Sequence, residues 1–120
     1  MKKLIDEFLN ILMEKLNTIM TVYYEEVPNN TVFPYGVVPT ISITPLDYGY
    51  QCFFDVELYT NELSDINIEK MCDDFRIALD GYNYQNSVVG FHVGFDSQFL
   101  SKQTEQDLTY RRISFVARIF

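Results

Sequence analysis

This 120-residue chain has no tryptophan, one histidine, two cysteines, four prolines and five glycines, and the scarcity of cysteine, of histidine and of glycine each removes a class of function. Cys52 and Cys72 stand twenty apart with no CxxC spacing, so neither a zinc site nor a dithiol redox motif is supported. Both fall on faces that should turn inward, where a free thiol acts as a small apolar group, and a reducing birthplace fits better than a secreted one. His92 has no second ligand or nucleophile within sequence reach, so it is read as an imidazole on the outer face of a strand. The glycines are scattered at 36, 49, 81, 90 and 94, which leaves no phosphate loop, and there is no GxSxG elbow or HExxH pair. Positive charge is also scarce, with 9 basic against 17 acidic residues and a net charge of −8. A nucleic-acid binder needs a cationic stripe to displace counterions, and an anionic membrane would repel this balance. Long apolar runs are missing too: nothing approaches the roughly 20 residues of a membrane span. The opening segment is interrupted by Asp6, Glu7, Asn10 and Glu14, unlike a signal peptide.

What is present is hydrophobic and aromatic. Apolar residues make up 48% of the chain, and 9 Tyr with 10 Phe exceed what the surface of a small monomer should carry. One domain spanning residues 1–120 is expected, with one core. The aromatic surplus goes either into that core or into a subunit interface.

Residues 2–20 read as an amphipathic helix, with Ile5, Phe8, Leu9, Leu12, Leu16, Ile19 and Met20 at helical spacing. Leu4, Ile11 and Met13 widen its apolar arc to about 200°, beyond the ~100° that a one-sided surface helix needs. That excess points to a spare flank meeting another chain. A short strand at 21–26 follows, then a turn at Pro28-Asn29-Asn30. Pro34 and Pro39 bracket the next strand and mark it as an edge or a bulge, and residues 45–49 read as a turn. In residues 51–59, Cys52, Phe54, Val56 and Leu58 alternate with Phe53, Asp55, Glu57 and Tyr59, the pattern of a sheet covered on one side. A second helix, capped by Ser64 or Asp65 and ended by Gly81, carries a stripe of about 120° through Ile68, Met71, Cys72, Phe75, Ala78 and Leu79. The rest is a hairpin of strands near 87–99 and 107–120, joined by the polar loop 100–106. The order predicts an α+β domain: a mainly antiparallel four- to five-stranded sheet with two helices packed on one face.

Candidate chemistry is thin. Asp55 and Glu57 share a strand face and could converge on a divalent cation. An acidic pair on a strand between helices resembles the PD-(D/E)xK nucleases, which makes a small metal-dependent nuclease one alternative. Where that motif wants lysine this chain has Tyr59, and its net charge withholds the electrostatics. A non-catalytic protein-binding adaptor is the other alternative. Arg112 and Arg118 share the non-core face of the last strand with Tyr110, Val116 and Phe120, either pairing with the sheet's own carboxylates or meeting an acidic neighbour.

The layout resembles the tail terminator (tail-completion) proteins of long-tailed bacteriophages. The segment Phe33-Pro34-Tyr35-Gly36-Val37-Val38 looks like that family's "PYVVI"-type strand, and a hairpin ending at Phe120 through Arg111-Arg112-Ile113-Ser114-Phe115-Val116-Ala117-Arg118-Ile119 closes the match. The resemblance implies a structural virion protein with no catalytic residue, metal or cofactor. It implies a ring, in that family a hexamer, that caps the tail tube, ends its growth and joins it to the head or neck. Its partners would be further copies of itself, the tube protein and a neck or head-completion protein, with no membrane and no specific nucleic-acid binding. DNA would cross the lumen, and the particle would assemble in the host cytoplasm. On this reading Leu4, Ile11, Met13, Arg112, Arg118 and Phe120 are expected at subunit contacts. Tyr48, Leu100, Lys102 and Gln103 are expected against the tube or neck.

Overall fold

The computed structural model describes residues 2–61, 65–99 and 109–120. Its elements run α1 (Lys2–Asn17), β1 (Val22–Tyr24), β2 (Tyr35–Val38), β3 (Ile41–Leu46), β4 (Gly49–Thr60), α2 (Asp65–Leu79), β5 (Asn83–Gln85), β6 (Gly90–Phe99) and β7 (Thr109–Ile119). The α+β class is as expected, but the described residues form a sheet of seven strands rather than four or five. Its order is β1-β2-β4-β7-β6-β5, with β3 beside β4, and β1 runs parallel to β2, so the sheet is mixed. The extra strands come from two places. The three-residue β5 folds back on β6, and the proline-marked stretch splits into β2 and β3, which lie end to end along β4. The break at Pro39-Thr40 is where a residue without an N–H interrupts the ladder. Pro45 and Leu46, expected in a turn, instead continue β3 to Leu46, opposite Gly49. A proline is tolerated there because β3 is an edge strand.

The alternating rows meet on one side of the sheet. Phe54 of β4 stacks on Phe115 of β7 at 5.4 Å, and Cys52, Val56, Leu58, Val93, Ile113, Ala117 and Ile119 join them in one buried cluster. Both helices close over this face: Phe8 and Leu12 of α1 and Cys72, Phe75 and Leu79 of α2 are fully buried in the same cluster. Asn17 ties the end of α1 to the sheet. Its side chain donates to the carbonyls of Met13 (2.8 Å) and Val22 (3.2 Å) and accepts from the Val22 N–H (3.0 Å), filling groups that a helix end leaves open. After α2, Gly81 takes a positive φ of 82° and donates to the Val93 carbonyl, which turns the chain into the β5–β6 hairpin.

Among the described residues one charged side chain lies inside. Arg111 continues the inward row of β7, is only 4% exposed, and its Nε donates to Glu69 of α2 at 2.7 Å while Nη1 reaches the Tyr110 carbonyl at 2.9 Å. Removing Glu69 takes a charge-assisted bond away from a guanidinium in a poor solvent. Glu69→Ala is expected to lower stability by about 2 kcal/mol, less than a wholly buried pair because Glu69 is partly exposed. Chemical denaturation measures it. A loss below about 0.5 kcal/mol, the range of an exposed pair, would contradict this role.

Candidate functional site: the open face of the sheet

Among the described residues both helices pack on one side of the sheet, and the alternate residues of each strand form the other side. Register sets the rows. Tyr35, Tyr59 and Tyr110 stand opposite one another on β2, β4 and β7. Their rings form a ladder, with 5.3 Å between Tyr35 and Tyr59 and 5.2 Å between Tyr59 and Tyr110, extended by Phe33 (5.3 Å) and Tyr23 (6.2 Å) around Tyr35. Cross-strand aromatic contacts of this kind stabilise a sheet and leave a half-buried, amphipathic surface.

The acidic pair lies beside this ladder, and its oxygens are engaged. Glu57 Oε2 accepts the Tyr110 hydroxyl at 2.7 Å and Oε1 accepts that of Tyr59 at 3.4 Å. Asp55 Oδ1 accepts the Ser114 hydroxyl at 2.6 Å, and its Oδ2 lies 3.9 Å from Arg112 Nε. The two carboxylates therefore serve separate partners across the β4–β7 pair. Among the described residues no group of three or more His, Cys, Asp or Glu side chains could hold a metal ion. The Arg112 guanidinium also lies over the Phe99 ring, 4.1 Å from its centre, a cation–π contact. His92 faces outward with Nδ1 2.5 Å from Asn83 Oδ1 on the neighbouring strand, as expected for a surface imidazole.

Burial next to Glu57 raises both tyrosine pKa values, that of Tyr59 to about 12. Burial likewise pushes the Cys52 and Cys72 thiols up to about 12 from 9.0. All four groups are neutral when folded and lose protons more easily when unfolded. Their contribution is therefore complete below about pH 9 and is lost as pH rises from there through about 12. Stability measured against pH should fall across that window. Tyr110→Phe should flatten its upper part, and an unchanged profile in that variant would contradict the Tyr110–Glu57 contact.

The expected contact residues lie in several places. Ile11 is buried in the chain's own core, and Leu4 and Met13 are half-buried against it. Much of the wide arc of α1 is thus covered by the domain itself, with Lys15 of the same helix over the Tyr82 ring. Arg112 and Arg118 share the open face, Arg118 exposed beside Gln51 and His92. Phe120 is exposed just past β7, its N–H donating to the Gly90 carbonyl at 2.7 Å. Tyr48, 89% exposed, forms the tip of the β3–β4 turn at this same end of the sheet. Leu100, Lys102 and Gln103 lie outside the described residues. The chain leaves β6 at Phe99 and enters β7 at Thr109, at the end of the sheet away from Tyr48. Sequence reasoning missed the tyrosine ladder and the inward Arg111. The outward parity of Tyr59 and Tyr110 was readable, but which tyrosines stand opposite one another depends on register.

No family model matches the chain, and the search of curated proteins gives no match. Among solved structures, a chain from the virion of a native gene transfer agent (GTA) particle has the same fold, with a TM-score of 0.67. The similarity covers 91% of this chain and 84% of that one at 16% identity, so the fold is what the two share.

Proposed function

We propose that this chain is a non-enzymatic structural protein of a phage-type virion. In the finer reading it forms a ring, of the hexameric kind, that caps the tail tube, stops its growth and joins the tail to the head or neck. The observation that carries the reading is the fold, similar over 91% of the chain to a component of a gene transfer agent virion. The layout resemblance to tail terminators points the same way. Two features of the open face support a structural role over a nuclease. Asp55 and Glu57 are held by Ser114, Tyr59 and Tyr110, and the face is rich in aromatics and arginine, the residue types favoured at protein interfaces. On this reading the chain meets copies of itself, the tube protein and a neck or head-completion protein, and DNA crosses the ring without specific contacts.

Withholding the chain from particle assembly tests this. The expected products are tail tubes of uncontrolled length and heads without tails, with both defects reversed on adding the protein back. Tubes of normal length joined to heads in its absence would overturn the capping role.

A further inference from the structure

We propose that the open sheet face receives the outward crest of α2 from a second copy of this chain. The contact rests on the reading above that copies meet one another, and it names the surfaces through which they do so. On the sheet, Gly94, Val116 and Phe53 form a row across β6, β7 and β4, and Phe53 is an exposed aromatic. Gly94 makes a shallow seat in that row: an added Cβ would meet only Val116 Cγ1, at 3.9 Å. Arg118 stands one step beyond Val116 along the same face of β7. This is a shallow apolar row with the Arg118 guanidinium at one end and Asp55, bonded to Ser114, at the other.

The crest of α2 has the opposite form. Ile77 is 75% exposed, on the side of the helix away from the buried Phe75 and Leu79. Asp73 and Asp74 precede it by four and three residues and Asp80 follows by three, with Arg76 and Lys70 paired to the first two, so three carboxylates and two cations flank an apolar knob. In the free chain Asp73 and Asp74 hold exposed pairs with Arg76 and Lys70, which contribute little and exchange readily, while Asp80 accepts the Phe95 N–H. Seating Ile77 between Phe53 and Val116 brings those carboxylates to Arg118, matching shape and charge together. It would also give the sheet a helix on its bare side, the usual way to cover an aromatic sheet face.

The sheet margins favour the face over edge-to-edge pairing. Pro45 interrupts the donors of β3, and β6 is bulged between Phe95 and Ser97, with the Phe95 N–H already donating to Asp80. Row and knob lie on opposite sides of one molecule, so the contact repeats head to tail and can close into a ring.

Cross-linking tests it. Gly94→Cys and Ile77→Cys chains, mixed under mild oxidation, should give at least tenfold more disulfide dimer than either alone, since the native thiols are buried. Arg118→Asp should weaken self-association about tenfold, and mixing it with Asp73→Arg chains should restore it. These exposed-residue variants guard against a cysteine variant that fails to fold. Equal cross-linking of Ile77→Cys chains alone, no mixed dimer, or indifference to Arg118→Asp would overturn the contact. So would an open face protected from hydrogen exchange only by tube protein. If the mixed dimer fails while the chain is found in particles, the contact falls and the virion role stands. If the dimer forms and the chain is absent from particles, the reverse holds.

Discussion

Phe91→Ala should lower the stability of the fold by about 4 kcal/mol, a large share of the roughly 6–18 kcal/mol expected for a domain of this size. Phe91 sits where three parts of the chain meet. Phe8 of α1 meets it edge-on at 4.9 Å, Tyr82 from the end of α2 at 5.8 Å, and Tyr84 of β5 stacks on it at 5.6 Å. The ring is buried on β6, so its removal leaves a cavity lined by other rings that cannot collapse freely. Phe91→Leu should cost about 1 kcal/mol, since the volume is largely kept. Urea denaturation separates the two. A loss below about 1.5 kcal/mol for the alanine variant would mean that α1 and β5 do not depend on this ring.

Gly49→Ala is the second large effect, at about 3 kcal/mol. Gly49 follows the Asp47-Tyr48 turn with a φ of 100°, and a Cβ there would come within 2.1 Å of the Ile119 carbonyl oxygen. The obstruction is backbone of β7, which cannot move aside without disturbing the β4–β7 ladder. Gly81 gives the control. Its φ of 82° is also positive, but an added Cβ meets nothing within 4 Å, so Gly81→Ala should cost only about 1 kcal/mol. Equal losses at the two positions would show that backbone conformation alone, and not the close approach to β7, governs Gly49.

The long elements were readable in the sequence because their periods are unambiguous. The row Cys52, Phe54, Val56, Leu58 and its counterpart Ile113, Phe115, Ala117, Ile119 do face the core, and the stripe of α2 packs inward. The missing strands were not readable for a physical reason. Asn83–Gln85 is three residues long with one half-buried side chain, too short for an alternation, and it forms because Gly81 and Asn86 turn the chain onto β6. The parallel pairing of β1 with β2 likewise depends on tertiary placement.

The candidate site was only partly legible. Parity placed Asp55, Glu57, Tyr59, Arg112 and Arg118 on the open face, while hydrogen bonds across β4–β7 decide what they do there. Glu57 is a hydrogen-bond acceptor for two tyrosines, which removes much of its appeal as a metal ligand. Arg111 carried a usable signal, since it continues the odd-numbered row of β7, but a charge in that position reads as outward until its partner Glu69 is seen.

The most direct test of the proposed role is the position of the chain in assembled particles. Cryo-electron microscopy of particles purified from cells encoding it, with antibody labelling, should place a ring of this protein where the tail tube meets the head or neck. Complete particles that lack the chain, or that carry it elsewhere, would contradict the account.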